Sequence, residues 1–189
     1  MKCDCILAGV GGQGVLSIAA IIARAAAAEG LAVRQSEVHG MAQRGGAVLA
    51  HLRLADGNIA GDLVPKGRAD LIISMEPLES LRYLSWLSPG GALVTAAEPV
   101  VNIPDYPELA EVHAAVKNLP RHSLVDAAAL AKEAGLARAV NMVMVGAASP
   151  YLPVKAEVLE KTIEAVFAAK DPSMAGLNRL AFRKGRGDG

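Results

Sequence analysis

Cys3-Asp4-Cys5-Ile6-Leu7-Ala8 runs directly into Gly9-Val10-Gly11-Gly12-Gln13-Gly14, and Val15 to Ala28 follows, rich in Ala, Ile and Leu with no Gly or Pro. The order reads as a short buried strand, a glycine turn and a helix. Glycines permit a tight turn and close backbone approach, and a helix N-terminus presents free N–H groups and partial positive charge. A G-x-G-x-x-G pattern placed straight after a first strand and opening a helix predicts a doubly wound, Rossmann-like α/β fold. Gly11, Gly12, Gln13 and Gly14 are therefore candidate cofactor-binding residues. Gly30 is placed to stop the helix, as a C-terminal glycine commonly does.

Leu31 to Ser36 reads as the second strand. A nicotinamide-binding fold needs an acid for the ribose about 20 residues after the glycines, and Glu37 stands near that place. It opens an unusual stretch, Glu37-Val38-His39-Gly40-Met41-Ala42-Gln43-Arg44-Gly45-Gly46. Arginine offers a planar fork to carboxylate or phosphate, and His and Gln offer directional hydrogen bonds. A polar, glycine-punctuated loop on a rigid α/β scaffold is a natural binding surface, so Glu37, His39, Gln43 and Arg44 are candidates for contact with substrate or partner. A merely solvated connection between strands is the plainer alternative.

The rest of the chain extends the α/β pattern. Ala47 to Leu54 reads as a strand with His51 and Arg53 on its polar face, and Asp56-Gly57 predicts a hairpin turn with a return from Asn58 to Gly61. Ala69 to Ser74 is a buried strand, and Glu76 lies at its C-terminal end, where open α/β sheets place ligands. A helix from Pro77 to Leu87 leads through a turn at Ser88-Pro89-Gly90-Gly91 to a strand at Ala92 to Thr95. Glu98 to Pro107 is irregular, followed by a helix from Glu108 to Asn118 and a strand from His122 to Val125. Asp126 is placed to cap the next helix, and helices are expected around Val140–Gly146 and Lys155–Ala169. Leu177 to Arg186 reads as a short helix with a basic end, either a solvated tail or a docking element. The expected architecture is one three-layer domain over residues 1–189, a mostly parallel sheet with helices on both faces and an inserted β-hairpin.

Composition narrows the function. The 189 residues carry 19 Lys+Arg against 19 Asp+Glu, a formal net charge of zero, which gives no reason to expect nucleic acid or an anionic membrane. Hydrophobic residues make 52% of the chain and mean hydropathy is +0.33, somewhat apolar for a free monomer, which suggests a permanent partner. Asp4, the loop glycines and Arg24 interrupt the N-terminal apolar stretch, and no run reaches the ~18 residues of a membrane helix, so a cytoplasmic location is expected. Cys3 and Cys5 are the only cysteines. Two thiols cannot supply the four ligands of an iron–sulfur cluster, and no metal-ligand spacing exists.

The two loops, with Asn141-Met142-Val143 and Asn178 to Phe182, resemble the gamma-type domain of the 2-oxoacid:ferredoxin oxidoreductases, and within that family the small (beta) subunit of the indolepyruvate type. Gly40-Met41-Ala42-Gln43-Arg44-Gly45-Gly46 carries most of the likeness. The resemblance implies oxidative decarboxylation of aryl 2-oxoacids to aryl-acetyl-CoA, with electrons passed to ferredoxin. It implies a large (alpha) subunit holding thiamine diphosphate, magnesium and iron–sulfur clusters, with coenzyme A as co-substrate. This chain alone is then expected to be catalytically silent, with no catalytic residue and no metal of its own. His39, Gln43 and Arg44 would complete the partner's site, Arg44 facing an anionic group. Gly11 to Gly14 would hold a coenzyme A phosphate or pack on the partner. Two other readings stand beside this one: a nucleotide- or coenzyme A-binding regulatory module, and a free-standing NAD-dependent dehydrogenase relying on Glu37.

Overall fold

In the computed structural model, residues 1–39 and 45–188 are described, His39 by its backbone only. Six strands form one sheet: β1 (Lys2–Val10), β2 (Ala32–His39), β3 (Ala47–Ala55), β4 (Ala69–Ser74), β5 (Leu87–Ala96) and β6 (His122–Val125). Their spatial order is β2-β3-β1-β4-β5-β6. β1, β4, β5 and β6 pair in parallel, whereas β3 runs antiparallel to both neighbours. The helices are α1 (Val15–Ala28), α2 (Pro77–Arg82), α3 (Leu109–Lys117), α4 (Ala127–Glu133), α5 (Val140–Ala148), α6 (Ala156–Ala168) and α7 (Pro172–Arg186).

Strand alternation sorts the core into two layers. Cys5 and Leu7 of β1, Leu71 and Ile73 of β4, and Ala92 and Val94 of β5 face α1 and α4–α7. Ile6, Ile72 and Leu93 face the other way, onto Val116 of α3 and Val64. The helix-rich layer is held by a close crossing of α5 and α7. A Cβ on Gly146 would lie 2.0 Å from the Phe182 carbonyl oxygen, and one on Gly185 would lie 1.9 Å from that of Val143. Only glycine lets these backbones touch. The C-terminal segment is thus no solvated tail: Ala181 and Phe182 are fully buried, and Arg179 and Arg183 pair with Glu164 and Glu160 of α6.

Three further local expectations change. The inserted hairpin is real, but it is β2–β3, paired from Ala32↔Ala55 to His39↔Val48, so the second strand runs past Ser36 through Glu37 and Val38. Asp56-Gly57 makes no hairpin and Asn58 to Gly61 forms no strand. Side chains of β3 and the chain terminus take that segment's backbone groups instead. Arg53 Nη1 donates to the carbonyls of Gly61 and Leu63 at 2.8 and 3.3 Å, and the Asp56 N–H donates to the Met1 carbonyl at 3.1 Å. Ser88 to Gly91 lies within β5, where the register with β4 shifts between Ala69 and Leu71. Gly91 is needed there, since a Cβ would sit 2.7 Å from the Ala69 carbonyl oxygen.

Two buried polar groups tie β3 down. Asp4 is fully buried and accepts from Arg53 Nε at 2.8 Å and Nη2 at 3.2 Å, with Lys2 Nζ at 2.6 Å. His51 is not on a solvated face: it is 5% exposed, its Nδ1 accepts from the Val64 N–H at 3.2 Å, and its ring meets Trp86. That bond requires the neutral Nε2–H tautomer. Burial first, and the Arg53 charge second, hold its pKa below the ordinary value.

Two predictions follow from this packing. Gly146→Ala should cost about 3 kcal/mol or more, as overpacking against backbone does, read as a lowered urea midpoint. For His51, the unfolded chain takes a proton near pH 6.5 while the folded chain resists, so stability falls as pH drops below that value. His51→Gln should flatten the difference in unfolding free energy between pH 7.5 and pH 5.5, and an unchanged slope would clear His51 of that role.

Candidate functional site

The C-terminal ends of β1 and β4 define the site. Each strand hands its backbone to a turn there, and the turns meet. The β1–β3 ladder ends at Val10↔Ala47 and continues one step into the turn, where the Gly11 N–H donates to the Gly46 carbonyl at 2.8 Å. The Gly45 N–H in turn faces the Gly11 carbonyl at 3.5 Å. Gly45 and Gly46, the described end of the Gly40–Gly46 run, are thereby held against the glycine turn.

The turn is locked from inside by Gln13. Its Oε1 accepts from the Val10 N–H at 2.7 Å, and its Nε2 donates to the Met75 carbonyl at 2.8 Å. Met75 N–H returns a bond to the Ala8 carbonyl at 3.0 Å. The side chain expected to offer itself to a ligand is therefore engaged in joining β1 to the end of β4. Gly14 adopts left-handed φ of 83° and opens α1, which has no side-chain cap and no acid in its first turn. Gly12 is exposed, with nothing near its Cα hydrogens.

A proline-bearing segment, residues 97–108, lies over the same edge. Asn102 Nδ2 donates to the Gly45 carbonyl at 2.9 Å. Glu76 Oε1 accepts from Tyr106 Oη and from the Val100 N–H at 3.4 Å, while its Oε2 caps α2 through the Glu79 N–H at 2.6 Å. Glu76 is 1% exposed, so it serves as a structural bolt and not as an open ligand contact. Burial and the adjacent Glu76 carboxylate push the Tyr106 hydroxyl above the usual phenol range. Glu79 lies beside them with Oε2 buried and unpartnered, and burial raises its carboxyl pKa.

Asn141 completes the edge. It sits at the start of α5, with Nδ2 3.2 Å from where a Gly14 Cβ would lie and Oδ1 accepting from the Met142 N–H at 3.0 Å. The signal for it in the sequence was a lone amide heading an otherwise apolar helix, and spacing alone could not aim it at Gly14. Beside it a cavity of about 250 Å³ is bounded by Arg138, Phe167, Lys170 and Asn178.

Of the residues proposed from sequence, Gly11, Gly12, Gln13 and Gly14 are brought together. Glu37 is not with them. It lies on edge strand β2 opposite Ala50, which itself pairs with Leu7, so β3 separates it from β1. At about 4.8 Å per strand spacing it stands roughly 10 Å to the side, too far for a ribose acid of the adjacent-strand type. Gln43 and Arg44 lie outside the described residues, as does the side chain of His39. Among the described residues, no group of three or more His, Cys, Asp or Glu could hold a metal, and no helix is long and apolar enough to cross a membrane. Gln13→Ala would leave the Val10 N–H and Met75 carbonyl without partners. It should cost about 1–3 kcal/mol in urea unfolding and speed amide exchange at Val10.

Comparison with known proteins identifies the family and the fold. Residues 4–187 match the family described as pyruvate ferredoxin/flavodoxin oxidoreductase. The indolepyruvate oxidoreductase subunit IorB of Pyrococcus horikoshii is 37% identical over 190 residues, covering 95% of this chain and 92% of that protein. The gamma subunit of a keto/oxoacid ferredoxin oxidoreductase from Geobacter sulfurreducens shares the fold with a TM-score of 0.70 at 23% identity, over 98% of this chain and 97% of that one. A 2-oxoglutarate:ferredoxin oxidoreductase from Magnetococcus marinus matches with a TM-score of 0.77 at 22% identity, where 98% of this chain spans 30% of the solved one. With the family match spanning nearly the whole length and the fold agreeing, this chain belongs to the pyruvate ferredoxin/flavodoxin oxidoreductase family.

Proposed function

We propose that this chain is the small subunit of an indolepyruvate:ferredoxin oxidoreductase and completes an active site held mainly by a large partner subunit. The complex oxidatively decarboxylates an aryl 2-oxoacid, transfers the aryl-acetyl group to coenzyme A and passes the electrons to ferredoxin. The observation that carries the reading is the anchoring of Gly45 and Gly46, where the glycine-rich stretch re-enters the sheet. Hydrogen bonds from Gly11, Gly45 and Asn102 fix its return at the glycine turn, at the C-terminal edge of the sheet. That is where α/β folds gather ligands. Val38 and Val101 are exposed nearby, at 54% and 69%, which suits a surface covered by another subunit.

Thiamine diphosphate, magnesium and the clusters belong, in this reading, to the large subunit. The residues here do not fit a cluster: Cys3 and Cys5 are buried side by side on β1 with sulfurs 3.6 Å apart, and the Cys3 contact first, burial second, raise the Cys5 thiol. His39, Gln43 and Arg44 supply hydrogen bonds at the subunit boundary, and Arg44 meets an anionic group of substrate or cofactor. The turn at Gly11–Gly14 gives close backbone approach, to a coenzyme A phosphate or to the partner. A free-standing dehydrogenase loses its one candidate acid, because β3 stands between Glu37 and the glycine turn.

The test is coenzyme A-dependent ferredoxin reduction with indolepyruvate by the reconstituted complex. Loss of a charge-assisted hydrogen bond in Arg44→Ala should lower kcat/KM about 10- to 100-fold. Wild-type turnover by that variant would remove Arg44 from the site, and full activity of this chain without any partner would overturn the subunit reading.

A further inference from the structure

In a doubly wound sheet, ligands gather outside the carboxyl ends of the strands, in the crevice where the strand order reverses. Here that crevice lies between β1 and β4, with β2 and β3 to one side and β5 and β6 to the other. Its β1 wall is the glycine turn, where Gly45 and Gly46 meet Gly11. Its β4 wall is Met75, Glu76 and the first turn of α2. Residues 97–108 run across from wall to wall. Asn102 ties them to the Gly45 carbonyl on one side, and the Val100 N–H and Tyr106 Oη tie them to Glu76 Oε1 on the other.

Both ends of this strap are firm. At one, the Ala97 N–H donates to the Val125 carbonyl at 2.8 Å, and Glu98 Oε1 accepts from the Ala128 N–H at 2.9 Å. At the other, α3 buries Val112 and Val116. From Ala97 to Glu111, however, no residue is buried. Apolar packing therefore does little to hold the strap down, and segments short of buried contacts open at low free energy. Pro99, Pro104 and Pro107 each fix their own φ, which stiffens the stretch so that it swings instead of fraying. What lies beneath resists closure. Glu79 is buried, and its Oε1 pairs with Arg82 Nε at 3.3 Å, but its Oε2 has no hydrogen-bond partner. Its charge acts on the Tyr106 hydroxyl, as does that of Glu76, so both carboxylates lie near the Tyr106 end of the strap. A dry, unpartnered carboxylate oxygen near a second carboxylate is relieved when water enters.

We infer that residues 98–108 are a hinged cover over the β4 side of this crevice, swinging as one piece about Ala97 and the start of α3 and releasing the Asn102, Val100 and Tyr106 bonds together. Gly12 is exposed with the cover down, and Gln13 with the Gly11–Gly46 bond keeps the glycine turn in place when it lifts. What the cover shuts off is Met75, Glu76 and Glu79, all buried in the closed form. Lifted, it opens two carboxylates to the one place on the sheet where the strand order reverses. Hinges of this kind are a few element-terminal residues that absorb the backbone change. The device lies wholly within this chain, so its failure would leave the subunit reading untouched.

The experiment uses the full chain, as wild type and as the variants Tyr106→Phe and Asn102→Ala. Two readouts follow the β4 wall. One is hydrogen exchange of the Val100 N–H. The other is carbodiimide coupling of glycine ethyl ester to Glu76 and Glu79, located by peptide mass spectrometry. Both should be slow in wild type. Each variant should speed both about tenfold, while exchange in β1 and α5 keeps its wild-type rate. Asn102→Ala is the decisive case. It removes a bond at the glycine-turn wall alone, so faster exchange at Val100 and faster labelling of Glu76 and Glu79 require that the cover move as a unit. It also alters an exposed side chain, so it carries the test should Tyr106→Phe loosen the whole fold. Wild-type rates at Val100, Glu76 and Glu79 in Asn102→Ala would mean that the two walls are tied independently, and would overturn the inference. Labelling of Glu76 and Glu79 in wild type as fast as that of the exposed Glu108 would overturn it too, because nothing would then be covered.

Discussion

The antiparallel ladder between β1 and β3 governs the rest of the molecule. In an uninterrupted doubly wound sheet the second strand lies against the first, and the chain after it departs from the glycine turn. Here β3 occupies that place, so the chain that leaves along β2 must double back and enter the sheet beside β1. The last step of the ladder, Gly11 to Gly46, therefore joins two glycine-rich stretches far apart in sequence. Antiparallel pairing fixes register residue by residue, and a slip of one residue would turn every β3 side chain to the wrong face. The buried Asp4–Arg53 pair stands against such a slip, since Arg53 must stay opposite Asp4 to satisfy a carboxylate with no access to water.

The edge built on that ladder is tied together by amides and carboxylates. Gln13, Asn102 and Glu76 each join two segments through backbone groups that would otherwise lack partners. Such side chains are internal struts. They keep the glycine turn in one conformation before any ligand or partner arrives, which limits the ordering cost at association. The Gln13 side chain is thereby committed, and what the turn offers outward is backbone, at Gly12 and at the uncapped start of α1.

On the far side of the sheet the helix layer follows another rule. Many of its side chains are alanine, and the α5–α7 crossing is made with glycine against backbone. Small residues bring helices close, as where Gly146 and Gly185 meet the facing backbone.

The sequence by itself determined most of the order of strands and helices, though not the absence of a strand at Asn58 to Gly61, together with the glycine turn opening α1 and the family likeness, because each rests on local periodicity, capping chemistry or a contiguous motif. It also marked the Gly40–Gly46 run as the most chemically specific stretch. Only the tertiary structure decided where that run returns, that β3 separates Glu37 from the turn, that Gln13 and Glu76 are struts, that His51 is buried, and that the C-terminal helix is part of the core. Each of those outcomes depends on a partner distant in sequence: Gly46 for Gly11, Met75 for Gln13, Tyr106 for Glu76, Val64 for His51 and Gly146 for the helix bearing Gly185. A pattern read along the chain reports which face a side chain occupies. What lies across from that face is set by strand order and helix crossing, which the folded chain alone supplies.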